Sequence, residues 1–309
     1  MQHFEFTIID ENIGERIDKC ISVMYEDFSR SYIQKIIKDS QVLVNGKVVK
    51  GSYILKENDH VIFDCPDSVI PDILPENIPL DILYEDKDVI VVNKPKEMVV
   101  HPAPGHYSGT LVNGLMYYML NSPIDSGLSS INGVLRPGIV HRIDMNTTGS
   151  LIICKNDKSH LSIAKQLKEH SINRVYVSIV KGVIEDSEGT VDKPIGRSDK
   201  DRKKMAVNAK NSKSAVTHYK VLERFKNYTL IECRLETGRT HQIRVHMSSI
   251  GHPVLGDDVY NSEKCPYKLT GQTLHAKTLG FIQPSTGEYV EVNAPLPDYF
   301  EELITKLRN

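Results

Sequence analysis

The stretch Arg136-Pro137-Gly138-Ile139-Val140-His141-Arg142-Ile143-Asp144-Met145-Asn146-Thr147-Thr148-Gly149-Ser150, running into the apolar Leu151-Ile152-Ile153-Cys154, is the densest part of the sequence. Glycines and small hydroxyl residues surround one carboxylate, so the backbone can turn sharply and present Asp144 outside the core before an apolar strand begins. A lone Asp in such a loop is ordinarily a turn-former, and the segment by itself leaves that reading open.

Outward from this loop the apolar stretches are short and strand-like: Val89 to Val92, Ser150 to Cys154, Val175 to Val180, Val216 to Leu222, Tyr228 to Cys233 and Tyr289 to Val292. Helical periodicity falls between them, at Leu111 to Leu120, Lys158 to Glu169, His241 to Ile250 and Asp298 to Leu307. Residues 80–309 are therefore expected to form one α+β domain with mixed or antiparallel strand pairing. Pro71, Pro75 and Pro79 interrupt regular structure just upstream, and 67–79 reads as a linker.

Residues 13–66 read as a small αβ module. Ile13, Ile17, Cys20, Ile21 and Met24 recur at helical spacing, and Ser29 is placed to cap a second helix carrying Ile33, Ile36 and Ile37. Gln41 to Val44 is extended, Asn45-Gly46 is a tight-turn signal before Lys47 to Val49, and Val61 to Phe63 closes the unit. Between Arg30 and Lys50 five cations, Arg30, Lys35, Lys38, Lys47 and Lys50, face only Asp39. Such a patch suits a phosphate backbone, although a charge run on a helix is also an ordinary solvated face.

Composition narrows the field. A chain of 309 residues allows about two domains. The net charge of −2 moves any polyanion binding to local clusters. Five scattered cysteines, Cys20, Cys65, Cys154, Cys233 and Cys265, with no Cys-x-x-Cys pair, point away from a disulfide scaffold or zinc site. The start lacks the basic flank and apolar run of a secretory signal, and no segment is apolar over the roughly 18 residues a bilayer span needs. A cytoplasmic location, no membrane association and a monomeric state are the expectations.

Three ordered segments carry a family resemblance. His141-Arg142-Ile143-Asp144 with its Thr- and Gly-containing turn resembles the signature loop of the RluA/RluD-type RNA pseudouridine synthases. Asn93-Lys94-Pro95 with His101-Pro102 upstream, and Thr237-Gly238-Arg239-Thr240-His241-Gln242-Ile243-Arg244-Val245-His246 downstream, are similar to two further motifs of that family. The likeness runs from about Ile90 to the end of the chain. Ser29 to Ile37 followed by Val42 to Lys47 resembles the small RNA-binding module named after ribosomal protein S-four, which often precedes this catalytic domain.

The resemblance implies an isomerase that turns uridine into pseudouridine in folded RNA, most naturally large-subunit ribosomal RNA. That reaction breaks the bond from ribose to uracil nitrogen, rotates the base and joins the same ribose carbon to ring carbon 5. It needs no oxidant, metal or nucleotide cofactor. Asp144 is then the catalytic carboxylate, as a nucleophile at the anomeric carbon or as a base on the sugar. An acid working in a water-poor pocket must keep its charge against desolvation, so a fixed cation is required, and the resemblance assigns Arg239. Ile243, four residues on, shares its face if Arg239 begins a helical turn, and is expected as a pocket wall.

Tyr176, in Arg174-Val175-Tyr176, matches a basic-x-Tyr element, and its ring can stack on the released uracil. Arg142 is placed to fill the gap left by an extruded base or to grip its neighbours, and His141 is expected beside the pocket. A second basic stretch, Arg197, Lys200, Arg202, Lys203, Lys204, Lys210 and Lys213 against Asp199 and Asp201, reads as an RNA-gripping loop or a solvated surface loop. Met145-Asn146 stands where the family often has Lys-Asp, which removes two charges from the rim of the site. The rival readings are a catalytically inactive RNA-binding or assembly protein, a synthase acting on transfer RNA, a base-removing RNA glycosylase, and a metal enzyme built on His241 and His246. The last pair lacks the His-Glu-x-x-His spacing.

Overall fold

The computed structural model describes residues 2–9, 12–25, 30–65, 73–102, 106–122, 127–133, 136–199, 201, 204–261 and 263–309, the side chains of Gln2, Arg30, Ser31, Tyr32 and Cys65 excepted. Ser29, Lys200, Arg202, Lys203 and residues 67–72 of the expected linker lie outside the described residues, as does the side chain of Arg30. The chain forms two compact units, Met1–Pro71 and Asp72–Asn309.

The small unit contains β1 (Gln2–Thr7), α1 (Ile17–Met24), α2 (Arg30–Lys38), β2 (Val42–Val44), β3 (Lys47–Val48) and β4 (His60–Cys65). Its antiparallel sheet has the order β1-β4-β2-β3. β1 lies upstream of residue 13, the expected start of the module, yet it pairs with β4 along its whole length. Asn45 and Gly46 both take positive φ, 50° and 73°, the primed-turn geometry that matches the twist of the flanking strands. The apolar stripes of both helices, Ile17, Ile21, Ile33, Ile36 and Ile37, close over Val42, Val61 and Phe63. Lys35, Lys38 and Lys47 stay exposed.

The larger unit contains β5 (Ile82–Glu85), β6 (Val89–Lys94), α3 (Leu111–Leu120), β7 (Thr148–Cys154), α4 (Asp157–Lys168), β8 (Asn173–Lys181), β9 (Glu188–Asp192), β10 (Ile195–Arg197), β11 (Met205–Val207), β12 (Val216–Arg224), β13 (Tyr228–Leu235), α5 (Gln242–Ser249), β14 (Leu274–Ile282), β15 (Tyr289–Asn293) and α6 (Asp298–Arg308). Its main sheet runs β5-β6-β7-β14-β8-β13-β12-β9, with β15 also on β14. The β7–β14 pair is parallel and the others are antiparallel, a mixed α+β sheet as expected.

The runs at β6 and β7 are continuously apolar because both sheet faces are covered. Ile90, Val92, Leu151 and Ile153 face α3, while Val89, Val91, Ile152 and Cys154 face the side of Ile163 on α4. The second half of the expected linker is packed on the larger unit. Residues 73–79 pack on α3: Ile73 is buried in its cluster, Asn113 Nδ2 donates to the Leu74 carbonyl at 2.8 Å, and the Glu76 amide donates to the Asn113 carbonyl at 3.0 Å. Proline stops helix and strand but does not prevent packing. Among the described residues no helix is long and apolar enough to cross a membrane.

Candidate active site

The loop that carries Asp144 ends where β7 meets β14. Thr148 and Gly149 are the β7 residues that pair with β14, opposite His275 and Ala276. Gly149 has φ +107°, and a methyl group there would run into the Ala276 backbone, so only glycine lets the strands approach. Beneath the loop lies Lys94, fully buried, whose Nζ donates to the carbonyls of Pro95 (2.7 Å), Met98 (3.0 Å) and Met145 (2.9 Å). Burial pulls its pKa down to about 7, against the pull of the Asp144 charge, while three acceptors use all three hydrogens of the ammonium form. The motif around residues 93–95 thereby ties down the backbone next to Asp144.

The guanidinium on Asp144 belongs to Arg244. Its NH1 donates to Asp144 Oδ2 at 2.9 Å, and its Nε and NH2 grip Asp257 at 2.7 and 3.0 Å. Asp257 is wholly buried and its Oδ1 also accepts from the amides of Val259 and Tyr260, so the fork has one orientation. Burial works against the Arg244 charge, but Asp257 and then Asp144 raise its pKa above the ordinary value. The Tyr260 ring lies 5.1 Å from its Cζ. Arg239, which the resemblance implies as this cation, instead donates from Nε to the Ser214 carbonyl at 2.9 Å. It precedes α5, which starts at Gln242, so the shared helical face with Ile243 does not form. The two arginines fall in one ten-residue motif, and only the helix start distinguishes them.

Arg142, Asp144, Tyr176, Arg239 and Ile243 nevertheless line one cleft with Arg244. Tyr176 sits on β8 between Cys233 of β13 and Ala276 of β14, and burial holds its hydroxyl neutral by raising its pKa. Ile243 is buried in the same core cluster as Tyr176. Nothing in the motif spacing singles out His241, which also lines this cleft. Its ring nitrogen Nε2 lies 3.8 Å from Asp144 Oδ1, its Nδ1 lies 2.7 Å from the Tyr260 hydroxyl, and its backbone is left-handed at φ 56°. Left-handed non-glycine backbone in a cleft is the one local signal that points to it. His246 has both ring nitrogens engaged, by Thr217 Oγ1 and the Lys193 carbonyl, each at 2.9 Å, which suits a packed structural residue.

His141 is turned away from the cleft. Its Nε2 accepts from the Ile152 amide at 3.2 Å, filling a bond that β7 does not make to a neighbouring strand. Burial, with the Arg174 charge, depresses its pKa to about 3, so the ring is neutral in the folded state at any ordinary pH. The unfolded ring takes up a proton below its usual value near 6.5, so this depressed group removes stability as pH falls below that value. Between pH 7 and pH 5 the loss from this ring alone is about 2 kcal/mol. Thermal unfolding followed at both pH values should show a smaller drop in Tm for His141→Gln than for the wild type; equal drops would refute the assignment.

Of the expected RNA-gripping residues in the larger unit, Lys204 immediately precedes β11 of the short β10–β11 hairpin, its amide donating to the Asp201 carbonyl at 3.0 Å. That hairpin reaches the cleft residue His241 through the Tyr260 hydroxyl, which accepts from the Met205 amide at 2.9 Å and lies 2.7 Å from His241 Nδ1.

The sequence pattern of the family described as RNA pseudouridylate synthase matches residues 88–249, and that of the S4 domain matches residues 15–61. The chain is 51% identical over 308 residues to the uncharacterized RNA pseudouridine synthase YlyB of Bacillus subtilis, covering 100% of this chain and 99% of that one. It is 44% identical over 313 residues to the ribosomal large subunit pseudouridine synthase D of Zymomonas mobilis, covering 98% and 97%. Among solved structures, human RNA pseudouridylate synthase domain containing 1 superposes with a TM-score of 0.58 at 26% identity, covering 75% of this chain and 96% of that one.

Proposed function

The chain belongs to the RNA pseudouridine synthase family, a family of RNA isomerases, and from that premise we propose that it converts uridines of large-subunit ribosomal RNA to pseudouridine with Asp144 as the catalytic carboxylate. The observation that carries this reading is the pairing of Asp144 Oδ2 with a guanidinium fixed from behind by buried Asp257. One carboxylate oxygen is held, and the other, Oδ1, faces the cleft with no hydrogen bond among the described residues. A charged, oriented oxygen is what attack at an anomeric carbon or proton removal from the sugar requires. The ribosomal RNA assignment rests on several relatives named ribosomal large subunit pseudouridine synthase D, at 39 to 44% identity.

In this reading the extruded uridine enters with its ribose toward Asp144. Tyr176, a flat neutral ring, stacks on the uracil while it is detached, a contact worth about 1 to 3 kcal/mol per base. Ile243 closes the wall behind it, which excludes water from a base that must rotate and rebond. Arg142, exposed on the rim two residues from Asp144, grips the nucleotides beside the extruded uridine. Arg239 lines the same cleft and supplies positive charge to incoming phosphate. Lys35, Lys38 and Lys47 of the small unit, together with Arg30, Lys203 and Lys204, supply further backbone contacts.

The test is to incubate the full chain with a large-subunit ribosomal RNA transcript and map carbon-linked nucleosides by mass spectrometry. Pseudouridine at defined positions is the expected result. Release of free uracil would identify a glycosylase, and unchanged uridine with intact RNA binding would identify a docking protein.

A further inference from the structure

The Asp144 loop borders a second cavity. It has a volume of about 420 Å³ and is lined by His101, Asn132, Arg136, Ile139, His141 and Arg142. Arg142 lines both this cavity and the Asp144 cleft. No carboxylate lines the cavity among the described residues, and neither Arg136 nor Arg142, both exposed, has an ion-pair or side-chain hydrogen-bond partner among them. His101 is only 3% exposed, yet its buried Nδ1 has no hydrogen-bond partner among the described residues. A buried polar atom left unpaired calls for a ligand or a functional reason. Both guanidiniums lie close enough to depress the imidazole, whose pKa falls to about 4 through burial first and then Arg136 and Arg142.

We propose that this cavity binds a phosphodiester of the RNA, on a nucleotide flanking the uridine presented to Asp144, through Arg136, Arg142 and His101. The proposal rests on the Asp144 cleft being the uridine site. Two arginines without an acid form a site of one sign, and guanidinium forks match the paired oxygens of a phosphate. A neutral imidazole adds an N–H donor at Nδ1 when that nitrogen carries the ring proton. Because Arg142 belongs to both walls, a strand that places one nucleotide at Asp144 lays the adjoining backbone over the second cavity. The phosphate there fixes the register of the chain, while the cleft recognises the base, which divides positioning from selection.

The affinity of the full chain for a labelled large-subunit ribosomal RNA transcript, measured against KCl concentration, tests this. Arg136→Gln should weaken binding about tenfold and reduce the steepness of log Kd against log salt by about 0.7 to 0.9, the contribution of one phosphate contact. Arg136→Lys should restore the slope, and Lys306→Gln, a cation exposed on α6, should leave it as in the wild type. Arg136 is exposed, so the substitutions do not threaten the fold. A wild-type slope for Arg136→Gln overturns the proposal. The His101 imidazole resonance separates the sources of phosphate: RNA should shift it, and a shift with millimolar inorganic phosphate but none with RNA would make this a free-anion site. Binding is read without turnover, so a wild type that binds RNA and forms no pseudouridine overturns the catalytic reading alone.

Discussion

Asp144→Asn is expected to stop pseudouridine formation, lowering single-turnover rates by about 10⁴-fold, the upper end of what a positioned acid or base supplies. A covalent role would take the loss further. The substitution is nearly isosteric, and its amide oxygen can still accept from Arg244 NH1, so neither the loop nor the cleft is rebuilt. What disappears is the charge on the oxygen facing the cleft. RNA affinity should hold, because the grip on phosphates lies with cations elsewhere. Product measured under excess enzyme separates the outcomes: a variant that keeps more than about a tenth of the wild-type rate would show that Asp144 is not the reacting group.

Arg244→Met should remove both activity and much of the stability. The wild-type guanidinium, 5% exposed, serves two carboxylates, and one of them, Asp257, has no exposure at all. Taking away one member of a buried charged pair strands the other and costs about 3 to 5 kcal/mol. The double variant Arg244→Met with Asp257→Asn separates the two effects. The Asp257→Asn change removes the stranded charge and keeps a side-chain oxygen for the amides of Val259 and Tyr260. Chemical denaturation should show a substantial part of the lost stability returning, while product formation stays absent because Asp144 has no cation. Recovery of activity along with stability would mean that Arg244 acts only on the fold.

Much of the architecture was legible in the sequence. The helices at 111–120, 157–168 and 298–308, and the strands at β6, β7, β8, β12, β13 and β15, fall within a few residues of their apolar patterns. The central strand β14 was not legible. Leu274 to Ile282 neither alternates cleanly nor runs continuously apolar, since His275, Lys277, Thr278 and Gly280 interrupt it. His275 is tolerated there because Thr148 Oγ1, 2.9 Å from its Nδ1, satisfies it across the β7–β14 junction. A polar residue paired that way hides a buried strand from any reading based on hydrophobicity.

The sequence by itself determined the two kinds of unit, the glycine-flanked loop with its lone acid, and the family whose motifs surround it. Local periodicity records which residues are buried, and turn residues record where the backbone must bend, so both are written along the chain. Only the tertiary structure decided which arginine meets Asp144, which way His141 faces, and that His241 belongs to the cleft. The Asp144 and Arg244 side chains meet across a separation of 100 residues. That meeting depends on the pairing of β7 with β14, the placement of β8 and the residue at which α5 begins. A side chain's direction follows from the register of strands and the first turn of a helix, and a single residue's shift in either sends it elsewhere.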